Sequence, residues 1–305
     1  MMDKVLIESL LEGYKLTELR EEAFSLTNRY QIKDVNSGDA IDTDLKAKIY
    51  AVIRMPATVK VSLEVFKRVF EIYNPSIDSV LDVGSGLGAM IDALKRYKEV
   101  DNIDALEINE HMINVSKLIN ERDINYINKD ITIDNITPHD LVMSSYVLNE
   151  IGTRHRKEVM RKMFDATNKL LVIIEPGTPE GSQVIKEVRD YALSHNGYIV
   201  APCTHHNKCP MYNDWCHFLT RVERSRLHKL LKEGNAPFED EKYSYIAISK
   251  EPIEISGNRI LRHPHIYKGM VEVEICNKEG IKKEQIRKNH PDYKVIKKLD
   301  SNDKY

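Results

Sequence analysis

The apolar positions of residues 44–73 fall one helical turn apart. Val61, Val65, Val69 and Ile72 would share a single stripe, and Asn74, Pro75 and Ser76 end the pattern. The chain before them reads as further helices joined by polar turns, which predicts a helical region over 1–76. From Ile77 the texture changes: short apolar runs, "SVLDVG", "NIDALEI", "INYINKD", "DLVMSSYV" and "KLLVIIEPG", alternate with amphipathic stretches of helical length. That alternation implies a parallel sheet with crossover helices. Further on, "QVIKEVRDYALSHNG" reads as a helix, "YIVAPC" as a strand, "RVERSRLHKLLKEG" as a helix and "KYSYIAISK" as the last strand of the sheet. Beyond it, "NRILRHPHIYKGMVEVEIC" reads as two strands around Lys268 and Gly269. The expected organisation is a helical region (1–76), an α/β domain (77–250) carrying an insertion at 201–218, and a small β-rich appendage (251–305) with a basic tail.

One strand-to-helix junction carries candidate chemistry. "VLDVGSGLGAM", residues 80–90, runs from an apolar strand into Gly84, Gly86 and Gly88 and then a helix. Glycines there permit a tight turn and let a ligand approach bare backbone beside a helix N-terminus. Glu107 ends the next strand, where a carboxylate can accept the hydroxyls of a ribose, and Asp130 follows the strand after that, near where an adenine ring would lie. A tight turn explains the glycines alone, but not acids at two successive strand ends. The order Asp-Val-Gly-Ser-Gly-Leu-Gly over 82–88 departs from the dinucleotide spacing and looks like the S-adenosylmethionine loop of class I methyltransferases. Asp82, Gly84, Ser85, Gly86, Gly88, Glu107 and Asp130 are therefore the expected cofactor residues.

No catalytic base stands out. The strand end "DLVMSSYVLNEI" offers Asp140, Ser144, Ser145, Tyr146 and Asn149, without the Asn/Asp-Pro-Pro-Tyr/Phe sequence of enzymes that methylate planar amino groups. "APC" at 201–203 falls two strands too late to hold the nucleophile of a 5-methylcytosine enzyme. Methyl transfer from a sulfonium needs alignment more than a strong base.

Cysteine usage adds a second site. Of four cysteines, Cys203, Cys209 and Cys216 crowd into the segment "APCTHHNKCPMYNDWCHF", with prolines beside two of them and Trp215 nearby. Their gaps are wider than a Cys-x-x-Cys knuckle and suit a loop around something larger than one ion. The fourth, Cys276, alternates with Val271, Val273 and Ile275, so its thiol shares a strand face with Glu272 and Glu274 instead of pointing with the apolar set. Scattered cysteines are often small buried hydrophobes, a reading that fits these four poorly. Four thiolates complete either a tetrahedral zinc site or one cubane iron-sulfur cluster, with His205, His206 and His217 as spare donors.

Composition narrows the setting. A hydrophobic share of 42% with 30% charged residues fits an ordinary globular chain, and the formal charge of -2 argues against a wholly basic nucleic-acid coat. No run approaches a membrane span, and Glu8 and Glu12 interrupt the first apolar stretch, so neither a secretory signal nor an organelle transit segment is expected. A monomer in a prokaryotic cytoplasm is the expectation, where clustered cysteines bind metal more readily than they form disulfides. Residues 278–298 hold eight Lys or Arg against three acids, a run able to neutralise phosphates or simply to face water. Arg221, Arg224 and Arg226 could reach phosphate too, or pair with Glu223 and Glu239.

The segments "IYAVIRMPAT", "VLDVGSGLGA", "VIIEPGTPEG", "APCTHHNKCP", "DWCHF", "PFEDEKYSYIAIS" and "ILRHPHIYKGMVEVEIC" occur in an order that resembles the methyltransferase-like proteins associated with the small ribosomal subunit, whose mitochondrial members are assembly factors. The resemblance covers about residues 45–280, and its cysteine and "EPGTPEG" segments are its most specific parts. It implies an α/β fold, a Rossmann-like class I S-adenosylmethionine-dependent methyltransferase sheet with N-terminal helices, a cysteine-rich metal-binding insertion and a small C-terminal β-rich appendage. It implies a [4Fe-4S] cluster on Cys203, Cys209, Cys216 and Cys276, with zinc as the alternative, and S-adenosylmethionine at the glycine loop. The implied partner is small-subunit ribosomal RNA in the nascent small subunit. Two functions follow: an RNA methyltransferase with a structural cluster, or a ribosome-assembly scaffold whose methyltransferase fold only binds. A radical mechanism is a third, disfavoured because four thiolates leave no open iron.

Overall fold

Helices lead the chain. The structure is a computed structural model that describes residues 4–31, 40–120 and 123–305; the polar stretch 32–39 lies outside them. Helices α1 (Lys4–Ser9), α2 (Leu16–Gln31), α3 (Asp44–Ile53) and α4 (Met55–Phe70) come first. The Thr43 side chain caps α3 by accepting the Lys46 N–H, and Pro56 opens α4, where a missing N–H costs nothing. The stripe read from the sequence is the buried face of α4: Val61, Val65 and Val69 have no exposed surface and pack on the sheet beside Val80, Leu141 and Leu170. Burial of each such valine contributes about 1.5–3 kcal/mol over leaving it exposed.

Then follow β1 (Ser79–Val83), α5 (Ala89–Leu94), β2 (Asn102–Glu107), α6 (Glu110–Ile119), β3 (Asn125–Asn128), β4 (His139–Ser145), α7 (Thr153–Asp165), β5 (Thr167–Pro176), α8 (Pro179–Ser194), β6 (Tyr198–Ala201), β7 (Phe218–Glu223), α9 (Arg226–Leu231) and β8 (Phe238–Ser249). The main sheet runs β3-β2-β1-β4-β5-β8-β6, and β7 also pairs with β8. The strands β1 to β5 pair in parallel, while β8 lies antiparallel to β5, β6 and β7. The order reverses between β1 and β4, which opens a crevice at their C-terminal ends.

One expected helix is half strand. Phe218, Thr220 and Val222 are buried in alternation with exposed Leu219, Arg221 and Glu223, a period of two that makes this β7 and leaves only Arg226–Leu231 helical. Because β6 ends at Ala201 opposite Ala247 and β7 starts at Phe218 opposite Tyr243, the cysteine segment links two strands that both pair with β8.

The appendage is a second sheet of β9 (Arg259–Ile260), β10 (His265–Tyr267), β11 (Met270–Asn277) and β12 (Gly280–Arg287), followed by α10 (Tyr293–Ile296). Lys268 and Gly269 make the β10–β11 turn, with Gly269 at φ 82, and much of the basic run is strand β12. Val271, Val273, Ile275, Ile286 and Ile296 form its own small core. Residues 300–305 strap it to the main sheet: Asp303 pairs with Arg68 of α4 at 2.6 Å, and the Asn302 amide accepts from Tyr245 Oη at 3.0 Å and donates to Tyr243 Oη at 3.4 Å. No helix among the described residues is long and apolar enough to cross a membrane.

Asn302 is buried with a left-handed φ of 72, a conformation asparagine tolerates better than alanine. Asn302→Ala leaves two buried tyrosine hydroxyls without that partner, and its expected cost is about 2 kcal/mol of unfolding free energy. Urea denaturation measures it, and Tyr245→Phe in the same background should recover part of the loss.

Candidate functional site

The crevice between β1 and β4 holds a cavity of about 570 Å³, within the size range of small-molecule sites. Gly84, Gly86, Glu107 and Asp130 line it; Asp82, Ser85 and Gly88 do not. The loop geometry explains the division. Gly84 and Ser85 both donate their N–H to Leu106 O, at 2.8 and 3.1 Å, which turns the chain sharply off β1. Gly84 has φ 65, and a Cβ there would meet Val147 at 2.3 Å, whereas a Cβ at Gly86 would project into open space. Glu107 accepts the Gly86 N–H on Oε2 and the Asn109 N–H on Oε1, each at 2.8 Å, so one carboxylate ties the loop to the end of β2. Asp130 spends Oδ1 on the Thr132 N–H and hydroxyl, at 2.8 and 2.7 Å.

Several buried polar atoms around the crevice lack partners among the described residues: both carboxyl oxygens of Asp82, Ser85 Oγ, Ser144 Oγ and Tyr146 Oη. Burial, then the charge of Glu107, pushes the Asp82 carboxyl up to about 8. Burial also raises Glu107, against the pull of its backbone donors Asn109 and Gly86. Tyr146, at φ 62, and Tyr50 of α3 line the crevice; burial raises Tyr50 to about 12 and Tyr146 well above its ordinary value, so both stay protonated donors. Ile41 and Tyr50 bring the helical region to the crevice, and Asn109 Nδ2 holds Ile41 O at 2.8 Å. Tyr50 gave no sequence signal, since nothing in its helical spacing marks it apart from core.

The "EPGTPEG" segment joins this crevice to the cysteines. Glu175, fully buried at the end of β5, accepts the Leu148 and Asn149 N–H groups at 2.9 and 3.2 Å and so holds the turn after β4. Burial pushes its carboxyl up to about 8. Gly181 packs so closely that a Cβ would meet Pro176 O at 2.1 Å, and Gly177 O accepts from Trp215 Nε1 at 2.9 Å.

Cys203, Cys209, Cys216 and Cys276 line one cavity of about 390 Å³, and all four are half-buried and free of disulfides. Burial, followed by the thiols of Cys203, Cys209 and Cys276, pushes the Cys216 thiol far up; burial with Cys203 and Cys209 takes Cys276 up to about 12. Burial raises Cys203 also, partly offset by the Arg189 guanidinium beside it. Among the described residues no three His, Cys, Asp or Glu side chains draw together as for a single metal ion. The thiols surround a volume. His205 Nε2 lies 3.8 Å from Cys276 Sγ, and His217 stacks on Trp215. Of the arginines weighed as phosphate contacts, Arg221 pairs with Asp240 and Arg224 with Glu239.

A doubly wound sheet with an antiparallel β8, and a glycine-loop crevice closed by an acid at the end of β2, define a class I methyltransferase-like α/β fold. The chain belongs to the mitochondrial small ribosomal subunit Rsm22 family, whose model matches residues 44–305. It is 24% identical over 201 residues to the human mitochondrial ribosome assembly protein METTL17, a match covering 58% of this chain and 43% of that protein. The chain thus spans less than half the length of that relative. Among solved structures it is similar to a putative RNA methyltransferase from Pyrococcus horikoshii (14% identity, 64% of this chain and 84% of that one, TM-score 0.42). It is also similar to the plantazolicin methyltransferase BpumL in complex with SAH (12%, 77% and 98%, TM-score 0.43).

Asp82 and Glu175, both with folded pKa values of about 8, bind protons in the folded state that they release from the unfolded chain above their ordinary values near 4. Their contribution is complete below that ordinary value and is lost as pH rises towards 8. The ligand-free protein should therefore melt lower at pH 8 than at pH 6, and Asp82→Asn should flatten the trend and melt above wild type at pH 8. A differential scanning series across that range measures both.

Proposed function

We propose that this chain is an S-adenosylmethionine-binding, iron-sulfur methyltransferase-like protein that works on small-subunit ribosomal RNA during assembly of the small ribosomal subunit. The observation carrying this reading is the pairing of two cavities, a glycine-loop crevice and a four-cysteine pocket, through the single segment Glu175–Gly181.

The crevice fits a nucleoside with a charged tail. Glu107 keeps lone pairs for a ribose, and Gly86 leaves its backbone open to close approach. S-adenosylmethionine, when bound, supplies a methyl group on a cationic sulfur. The chain's own part is then to orient the cofactor through Glu107, exclude water with Ile41 and Tyr50, and hold an acceptor by hydrogen bonds from Tyr50 and Tyr146. Neither tyrosine is poised as a base, which gives the binding-only scaffold its specific support.

The cysteine pocket would hold a [4Fe-4S] cluster or, as the alternative, one zinc ion on its four cysteines, because all four line one cavity. Cys276 pairs with Ile281 at the start of the basic strand β12, so the cluster pocket and the exposed Lys283, Arg287 and Lys288 belong to one appendage. Such side chains bind phosphates in a salt-dependent way.

Protein purified without oxygen should carry about four irons per chain. Calorimetry should show S-adenosylmethionine binding that Glu107→Ala weakens at least ~10-fold, a loss of ~1.4 kcal/mol of ribose contact. Small-subunit RNA affinity should fall steeply with salt, less steeply once Lys282, Lys283, Arg287 and Lys288 are neutralised. Methyl transfer to nascent small subunits selects the enzyme, and cofactor binding without transfer selects the scaffold. Preference for a nicotinamide dinucleotide, or RNA affinity indifferent to salt, contradicts the reading.

A further inference from the structure

Two guanidinium groups beside the cysteine pocket are buried without a buried counter-charge. Arg189 of α8 is 2% exposed and Arg259 of β9 is 3% exposed. Arg189 donates to the backbone carbonyls of His205 and Asn207, its Nε has no partner, and its one ion pair among the described residues is to Asp190, a side chain 54% exposed. Arg259 donates to Pro202 O at 2.6 Å and Asn302 O at 2.5 Å and forms no ion pair among the described residues. Carbonyl oxygens satisfy N–H groups but do not cancel a full charge. A buried cation held only by dipoles costs several kcal/mol unless an anion stands close by.

The side chains these arginines stand beside are the cysteines: Arg189 lines the pocket with Cys203 and Cys209, and Arg259 is the cross-strand partner of Cys276 and donates to the carbonyl of Pro202, next to Cys203. A third arginine, Arg262, is a built-in contrast. It also braces the loop, donating to Trp215 O at 2.9 Å and His217 O at 3.4 Å, but its charge is met by Asp214 at 2.7 Å. Bracing is thus compatible with a paired charge, whereas Arg259 has no ion pair among the described residues and Arg189 has only the one to the exposed Asp190.

We propose that Arg189 and Arg259 are the built-in counter-charges of a dianionic metal-thiolate group in the cysteine pocket, Arg189 being the positioning residue that governs how tightly the group is held and how readily it is reduced. The charges match. Four thiolates, about −4, around a metal core of about +2 leave about −2, and the two arginines return +2. The inference rests on the four-thiolate reading above. Positive charge beside such a cluster favours its more reduced, more negative state, so losing it lowers the reduction potential.

The test uses the metal-loaded protein and two readouts, the rate of metal release to a chelator and the midpoint potential of the cluster. Arg189→Gln should release metal ~10-fold faster, equivalent to about 1.4 kcal/mol, and shift the midpoint to more negative values. Arg189→Lys should stay near wild type in potential. The double variant Arg262→Gln with Asp214→Asn removes comparable carbonyl contacts without changing net charge, and it should behave as wild type. If that double variant matches Arg189→Gln, or if Arg189→Gln matches wild type, the counter-charge role is wrong and the arginines only brace the loop. Should Arg189→Gln fail to fold, Arg259→Gln is held to the same outcomes. A wild type that holds zinc is judged by the release rates alone, and one that holds no metal refutes the four-thiolate reading before any arginine is changed.

Discussion

The convergence of Cys276 on Cys203, Cys209 and Cys216 is the constraint on which the architecture turns. Three of these thiols come from the loop between β6 and β7 of the main sheet and the fourth from β11 of the second sheet, and all line one cavity. A group held by all four would close a loop of about 60 residues between Cys216 and Cys276, which restricts the unfolded chain by about 4 kcal/mol and adds to the burial of the small appendage core. The remaining ties are individually modest: the Asp303–Arg68 pair, the Asn302 contacts to two tyrosines, and Arg259 reaching both Pro202 and Asn302. Arg259 belongs to both sets, so the strap and the cysteine loop are fixed by one side chain.

The two cavities share no lining residue, and the segment 175–181 between them is held at both ends. On one side Glu175 satisfies two backbone donors with no exposed surface, which freezes the turn carrying Tyr146 and Val147 against Gly84. On the other, Gly177 accepts the only tryptophan, and α8 begins with Thr178 capping the Gly181 N–H at 3.1 Å.

Much of this was legible in the sequence because it rests on local rules. Glycine at three positive-φ positions, an acid at the end of the next strand and the alternation of Val271 to Cys276 each follow from backbone geometry, and each has its structural counterpart. The misread helix shows the limit. "RVERS" has the charge pattern of a solvated helix, and only the neighbouring strand β8 makes a period of two the better solution. Glu175 stood out only as part of the "EPGTPEG" segment, and its contacts are to the backbone of another loop 27 residues away. Arg189 and Arg259 carried no signal at all, since each looks like a surface residue of an amphipathic element until the fold removes it from water.

Hydrogen exchange on the metal-loaded protein and on the same protein after chelation is the most direct test of a cysteine site that holds the appendage to the main sheet. The expected result is a loss of protection confined to β9, β11, β12 and the 203–216 loop, with β1, β2 and β4 around the crevice unchanged. Unchanged protection in the appendage, or an equal loss across both sheets, contradicts it.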